Sequence, residues 1–262
     1  WKGAQRVSQR LLDQVHSNRC SGEAITQGMS EALKPITFEQ FLQDLGEGGV
    51  ESSPGPSGLG YALLRCLPMG VQKLLWRMRN LIVRGQKFPS LQLDLIIVAI
   101  PKSNSPMQGY AAARPISLYE AFSKICTGSV HAKLDRLLQE HGVLHPNQFF
   151  SGRHRGVQEA LQTVIHSLEC VLRRGDHVVV QSCDVASAFP TVQHWALRLT
   201  LQGYRFDEKV KEFVMIADEK GHFCMRTAQA FSDWFDKPDN GIGQGEKGSP
   251  PKYTWSVDPL LW

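Results

Sequence analysis

The stretch from His177 to Val192, His-Val-Val-Val-Gln-Ser-Cys-Asp-Val-Ala-Ser-Ala-Phe-Pro-Thr-Val, constrains this chain more than any other. A β-branched run of this kind predicts a buried strand. The run ends in one acid, Asp184, and an aromatic, Phe189, follows five residues later. An acid at a strand's end reaches the cleft beyond the sheet and can hold a cation on a rigid support. A strand-end Asp that only caps the next helix has the same local pattern. The rest of the chain must separate the two.

At 262 residues the chain has enough sequence for one large domain or two moderate ones. Its apolar fraction of 42% and charged fraction of 21% are those of an ordinary soluble globular protein. The longest apolar run, Leu95 to Ile100, is far too short to span a bilayer, so no membrane partner is expected. The start at Trp1-Lys2-Gly3 has no signal-peptide pattern. That start and the ending at Leu260-Leu261-Trp262 predict a segment of something longer.

Six cysteines without a Cys-x-x-Cys pair read as reduced, mostly buried thiols of an intracellular protein. His141 and His145 are four apart, but Gly142 and Pro146 argue against one helical face, so these are loop histidines and not a zinc site. Charge is unevenly placed. Residues 60–180 carry 15 Lys and Arg against 7 Asp and Glu, whereas the remainder carries 14 against 18. A basic portion followed by an acidic one suits phosphate gripping beside metal holding, although solvated surface gives the same balance.

Thr37-Phe-Glu-Gln40 is a capping box that opens a helix with Phe38, Phe41, Leu42 and Leu45 on one side. Residues 46–60 form a Gly/Ser/Pro-rich loop. Leu63 to Ile82 has helical periodicity, with Pro68 starting a fresh helix and Gly85 stopping it. Leu93 to Ile100 and Ala113 to Leu118 predict two strands of a long hairpin, joined through Asn104, Pro106 and Gly109. Pro115 puts the second strand at a sheet edge or strand start. Two helical stripes follow, Phe122 to Leu138 and Val157 to Leu172, and both are predicted to face the core. Helices over Trp195–Leu201 and Lys209–Ala217, extended chain over His222–Ala230 and a Gly-rich turn over Asn240–Gly245 complete the pattern.

In order, the chain contains Pro54-Gly-Pro-Ser-Gly58, Ile100-Pro-Lys102, Arg114-Pro-Ile-Ser-Leu118 with Lys124 downstream, Leu144-His-Pro-Asn-Gln148, Asp184-Val-Ala-Ser-Ala-Phe189 and Gly241-Ile-Gly-Gln-Gly245 followed by Ser249-Pro250. This succession resembles the reverse transcriptases of non-LTR (LINE-type) retrotransposons, from about Pro54 to the C-terminus. The resemblance implies an α+β fold: right-hand polymerase fingers and an incomplete palm, helix-rich, with a fingers β-hairpin and part of the antiparallel palm sheet. The implied organisation is a leader and capping helix over 1–50, fingers over 51–175 and a partial palm over 176–262.

The same resemblance implies a role for each matched residue. Asp184 is the first catalytic carboxylate and binds both Mg²⁺ ions of the complete enzyme, with the main-chain carbonyl of Val185 on one of them. Phe189 is the steric gate against a ribose 2′-hydroxyl, with a buried core ring as its plain alternative. Lys102 and Arg114 grip the incoming triphosphate from the hairpin, and exposed strand-edge cations are the alternative there. Gln244 and Gly245 lie under the nascent base pair. Implied partners are an RNA template, a DNA primer and deoxynucleoside triphosphates. Arg153, Arg155, Lys133 and Arg136 are candidate phosphate contacts, and helical surface charge explains them equally well. The implied location is the nucleus or a cytoplasmic ribonucleoprotein.

The chain also departs from the family. Pro190 follows the gate Phe, Ser57 stands where Asp is frequent, and Lys247-Gly248 replaces Pro-Leu. It contains no Asp-Asp dipeptide, so the aromatic-x-Asp-Asp motif is absent and the chain is expected not to polymerise alone. A non-catalytic or decayed reverse-transcriptase-like RNA-binding domain is the alternative reading.

Overall fold

The computed structural model describes residues 23–85, 87–102, 113–150, 156–227 and 230–261. The described residues open with four helices: α1 (Glu23–Ala32), α2 (Phe38–Gly46), α3 (Tyr61–Cys66) and α4 (Met69–Gly85). The capping box at Thr37 forms as predicted: its hydroxyl accepts from the Gln40 N–H and its own N–H donates to the Gln40 side chain. That cap directs Phe41 and Leu45 into the core. Pro68 divides α3 from α4, and its carbonyl accepts from Val71 and Gln72 in the first turn of the new helix.

Strands β1 (Leu95–Pro101) and β2 (Ala113–Tyr119) pair antiparallel, in register from Leu95 opposite Tyr119 to Pro101 opposite Ala113. This is the predicted hairpin; its connecting residues, Asn104, Pro106 and Gly109 among them, lie outside the described residues. Helix α5 (Ala121–Glu140) follows and is the axle of the fold, buried along most of its length and in contact with α1, α2 and α4. Next come α6 (Val157–Arg173), α7 (His194–Gly203), α8 (Glu208–Glu219), β3 (His222–Arg226), β4 (Phe235–Asp236) and α9 (Ser249–Val257). Strand β3 joins β1 in parallel, Leu95 opposite Phe223, and gives the sheet order β2-β1-β3-β4. Pro115 thus lies on an edge strand, where its missing N–H costs no ladder bond. One hydrophobic core runs from Ile25 to Trp255 and draws residues from all three sequence segments, 1–50, 51–175 and 176–262.

Two expectations are overturned. The first is the strand at His177–Cys183. The backbone there is extended, but it joins no ladder among the described residues, and Val179 is 95% exposed. β-Branched composition favours a half-buried pleated surface, yet a strand needs a neighbour to accept its hydrogen bonds, and none of the described residues supplies one beside this run. The expected antiparallel palm sheet is correspondingly absent among the described residues, where the sheet is the mixed one built on the hairpin. The second concerns α6. Its helix and stripe form as the periodicity requires, but no residue of it is buried, and Val157, Leu161, Val164, Ile165 and Leu172 are exposed. Periodicity establishes a helix with an apolar face, not a surface for that face to meet.

The cysteines differ from expectation in burial only, not in being free thiols. All five described are free; Cys126 and Cys224 are buried, whereas Cys66 and Cys183 are exposed. Lys133 is half-buried and Arg136 exposed on α5, while Arg153 and Arg155 lie outside the described residues.

Candidate functional site

Asp184 begins a loop that bends sharply back on itself. Ser187 adopts a left-handed backbone, φ 54°, and its carbonyl accepts from the Thr191 N–H. A non-glycine residue in that region is strained, and such strain persists only where surroundings hold it. The holding segment is Asp239–Gly243. Gly241 N–H donates to the Val192 carbonyl at 2.7 Å and Ile242 N–H to the Phe189 carbonyl at 3.0 Å. Asn240 donates through its amide to the Pro190 carbonyl, and His194 through Nε2 to the Gly241 carbonyl at 2.7 Å. Two motifs far apart in sequence are therefore zipped side by side. Pro190, a departure from the family, is accommodated because this pairing uses its carbonyl and needs no N–H from it.

The Gly-rich turn continues onto the hairpin. Ser117 N–H donates to the Gln244 carbonyl at 2.7 Å, which fastens the turn to β2. Gly245 has φ 129°, and a Cβ there would stand 2.4 Å from the Ser117 carbonyl oxygen. Only glycine suits this approach. Between the turn, the sheet and the Ser187–Pro190 loop lies a cavity of about 340 Å³. Its walls include Lys102, Ala113, Pro115, Ser117, Tyr119 and Gln244.

The structure thus brings Lys102 and Gln244 to one cavity, with Gly245 adjoining. Arg114 is exposed and pairs with Ile100; strand alternation turns it to the face opposite Ala113, Pro115 and Ser117. The Phe189 ring is half-buried and packs against Tyr253 and Phe150, with centroids 5.4 and 6.3 Å away. Asp184 and Val185 are exposed on the loop that leads to Ser187. Among the described residues no group of three or more His, Cys, Asp or Glu side chains is arranged so that it could hold a metal ion. The Asp184 carboxylate and the adjacent Val185 carbonyl are hard oxygen donors, the kind that fits Mg²⁺, an ion that retains waters and takes few protein ligands.

Sequence reasoning missed the charged group beneath the turn. Lys252 on α9 is fully buried, with Nζ 2.5 Å from Asp218 Oδ2 and 2.9 Å from Glu246 Oε2. Thr127 donates to Glu246 Oε1 at 2.8 Å, and His131 Nδ1 donates to the Thr127 carbonyl at 2.9 Å. Burial alone would raise the Glu246 carboxyl, but the charges of Lys252 and His131 with the Lys252 and Thr127 hydrogen bonds hold it well below the usual range. Burial likewise opposes the Lys252 charge, and the two carboxylates beside it outweigh that opposition and raise it. Burial keeps His131 below its ordinary value. The only sequence signal was the placing of Glu246 and Lys252 on either side of Ser249-Pro250.

Lys237 is the second group missed. It donates to the Leu93 and Ala217 carbonyls at 2.6 and 2.7 Å, lies over the Tyr119 ring and borders the cavity. Burial, with the like charge of Lys252, lowers it to about 8 despite Asp218, Asp94 and Glu246 nearby.

No family model matches the chain. It is similar to the probable RNA-directed DNA polymerase from transposon BS of Drosophila melanogaster, 28% identical over 167 residues, or 63% of this chain and 18% of the relative. The retrovirus-related Pol polyprotein of the type-2 retrotransposable element R2DM, also from Drosophila melanogaster, is 27% identical over 96% of this chain and 23% of its own length. An uncharacterized 149 kDa protein of transposon TX1 from Xenopus laevis is 22% identical over the whole chain and 18% of its own length. The class these relatives define is that of LINE-type retrotransposon RNA-directed DNA polymerases, at modest identity. The chain resembles that class and spans about a fifth of the length of the relatives it matches.

Proposed function

We propose that this chain is the nucleotide-handling portion of an RNA-directed DNA polymerase, with fingers over 51–175 and part of the palm over 176–262. The single observation that carries this reading is the cavity where Lys102, from the hairpin, and Gln244, from the Gly-rich turn, meet the loop that follows Asp184. A triphosphate at the hairpin end would be neutralised by Lys102, which lines the cavity, while Arg114 stands exposed on the other face of the same hairpin end and would have to reach round it. Gln244 and Gly245 present backbone to the base pair above them, and Phe189 limits the space beside the sugar.

Asp184 and the Val185 carbonyl would hold Mg²⁺, which when bound neutralises developing charge and activates the primer 3′-hydroxyl. The chain has no Asp-Asp pair, so the second acid of a two-metal site would have to come from elsewhere in the natural polypeptide, and residues 1–262 alone would not extend a primer. The departures at 247–248, and Glu246 beside them, have matching partners. Glu246 pairs with Lys252, Lys247 lies over the Tyr61 ring, and Gly248 fits where a Cβ would strike His131. Matched partners support a maintained site over a decayed one.

Primer extension on an RNA template by the natural polypeptide tests the proposal. Asp184→Ala should abolish extension while template binding persists, since phosphate contacts supply the grip. Phe189→Val should admit ribonucleotides. Normal extension by the Asp184 variant would overturn the assignment.

A further inference from the structure

From Ser52 to Leu93 the chain has 42 residues without a single Asp or Glu, and six cations among them. Two of the six are spent internally. Arg79 is fully buried and donates to Ser129, and Arg65 donates to the carbonyls of Leu45, Gly46 and Gly48. Lys73, Arg77 and Arg84 remain exposed on α4, and among the described residues none of them forms an ion pair. Their spacing of four and seven puts them in one column along the helix.

A second column runs beside the first. Val71, Leu74, Met78 and Leu81 follow helical spacing and are all exposed, Leu81 by 70%. The opposite face of α4 is fully used. Trp76 Nε1 and Asn80 Nδ2 donate to the Ile36 carbonyl, and Ile82 and Val83 are buried. Rotation of the helix therefore cannot hide the apolar column without exposing an equal one. A helix of 17 residues, about 25 Å long, thus presents an apolar ridge with a cationic ridge on one side only.

We infer that this face of α4 is a docking surface for an acidic amphipathic helix of a protein partner. The apolar ridge packs on the partner's i, i+4, i+7 stripe, and Lys73, Arg77 and Arg84 meet a column of carboxylates beside that stripe. Charge complementarity selects the occupant, because α4 itself carries cations and no acid, so its exposed face repels a cationic helix and attracts an acidic one. A nucleic-acid backbone would satisfy the cations but leave four apolar side chains in water. A membrane surface favours cations on both flanks of an apolar face, and here one flank has none.

The test uses chain 1–262 and a fluorescent 20-residue helical peptide with Leu at i, i+4, i+7 and a flanking Glu column, read by anisotropy. Binding should weaken as salt rises and fall about tenfold or more when the peptide's Glu column is changed to Lys. Leu74→Ser with Leu81→Ser should weaken binding by about tenfold or more, with an unchanged thermal midpoint because both side chains are exposed. Arg77→Glu should also weaken it and flatten the salt dependence. Binding that is blind to the Leu changes while a 20-nucleotide RNA competes fully would overturn the proposal in favour of a nucleic-acid site. Uptake by phosphatidylserine vesicles lost with the same Leu changes would overturn it in favour of a membrane. Concentration-dependent dimerisation abolished by those changes would assign the face to a second copy and overturn it as well.

Discussion

The Lys252 ammonium stands 2.9 Å from the Glu246 carboxylate, with both side chains buried and Asp218 closing the group on the other side at 2.5 Å. A charge taken out of water is tolerated only with close, hydrogen-bonded partners, and removing one partner strands the rest. Lys252→Met should therefore cost about 3–5 kcal/mol in urea unfolding. Changing Asp218 to Asn and Glu246 to Gln together with Lys252→Met should recover part of that loss, because no uncompensated charge remains. The acid side follows from the depressed Glu246 carboxyl. Its stabilisation is complete above the ordinary value of 4.5 and is lost as pH falls through the lower folded one. A Glu246→Gln variant should show a flatter decline of thermal midpoint below that pH than the parent.

That group also shows where sequence reasoning stops. The capping box at Thr37, the helix break at Pro68, the edge position of Pro115 and the hairpin of β1 and β2 were all legible, because each depends on neighbours within a few residues. The meeting of Lys102 with Gln244 was not legible in the pattern, since 142 positions separate them. Asp218, Glu246 and Lys252 were not legible, because burial of charge depends on what three separate elements bring together. The run at His177–Cys183 failed for the opposite reason. Its composition asked for a ladder, and a ladder is a property of two segments, not one.

Lys237 should titrate near 8, in contrast to lysines in water, because burial outweighs the attraction of Asp218, Asp94 and Glu246 and Lys252 adds repulsion. The folded protein then sheds this proton first. Between about 8 and the ordinary 10.5 the unfolded chain binds more protons, so this residue makes stability rise with pH across that window. Following the Lys237 side-chain carbon signal by NMR against pH checks the value, and Lys237→Met should remove its share of the slope.

Gly245→Ala should destabilise by about 1–3 kcal/mol, because the backbone at φ 129° disfavours any Cβ and the new methyl meets the Ser117 carbonyl. That oxygen belongs to β2, so relief would have to shift the strand and the Ser117–Gln244 hydrogen bond together. Hydrogen exchange should accordingly speed up at the Ser117 amide before it does in α5. Unchanged protection there would mean that the turn is not held by β2.

Val179 is almost fully exposed in a β-branched run whose backbone pairs with no described strand, and α6 exposes an apolar stripe just before it. Extended chain with open hydrogen-bonding groups and apolar side chains is a template for pairing with another molecule. Residues 1–262 in isolation should therefore self-associate as concentration rises. Val179→Lys should suppress that association, because a charge on an open edge cannot be buried cheaply against a second copy. The thermal midpoint should hardly move, since a side chain in water contributes little to folding, within about 0.5 kcal/mol. Light scattering and thermal unfolding of the two proteins side by side separate the effects. A large fall in midpoint would show that Val179 is packed in solution, and the exposed run would then be wrong.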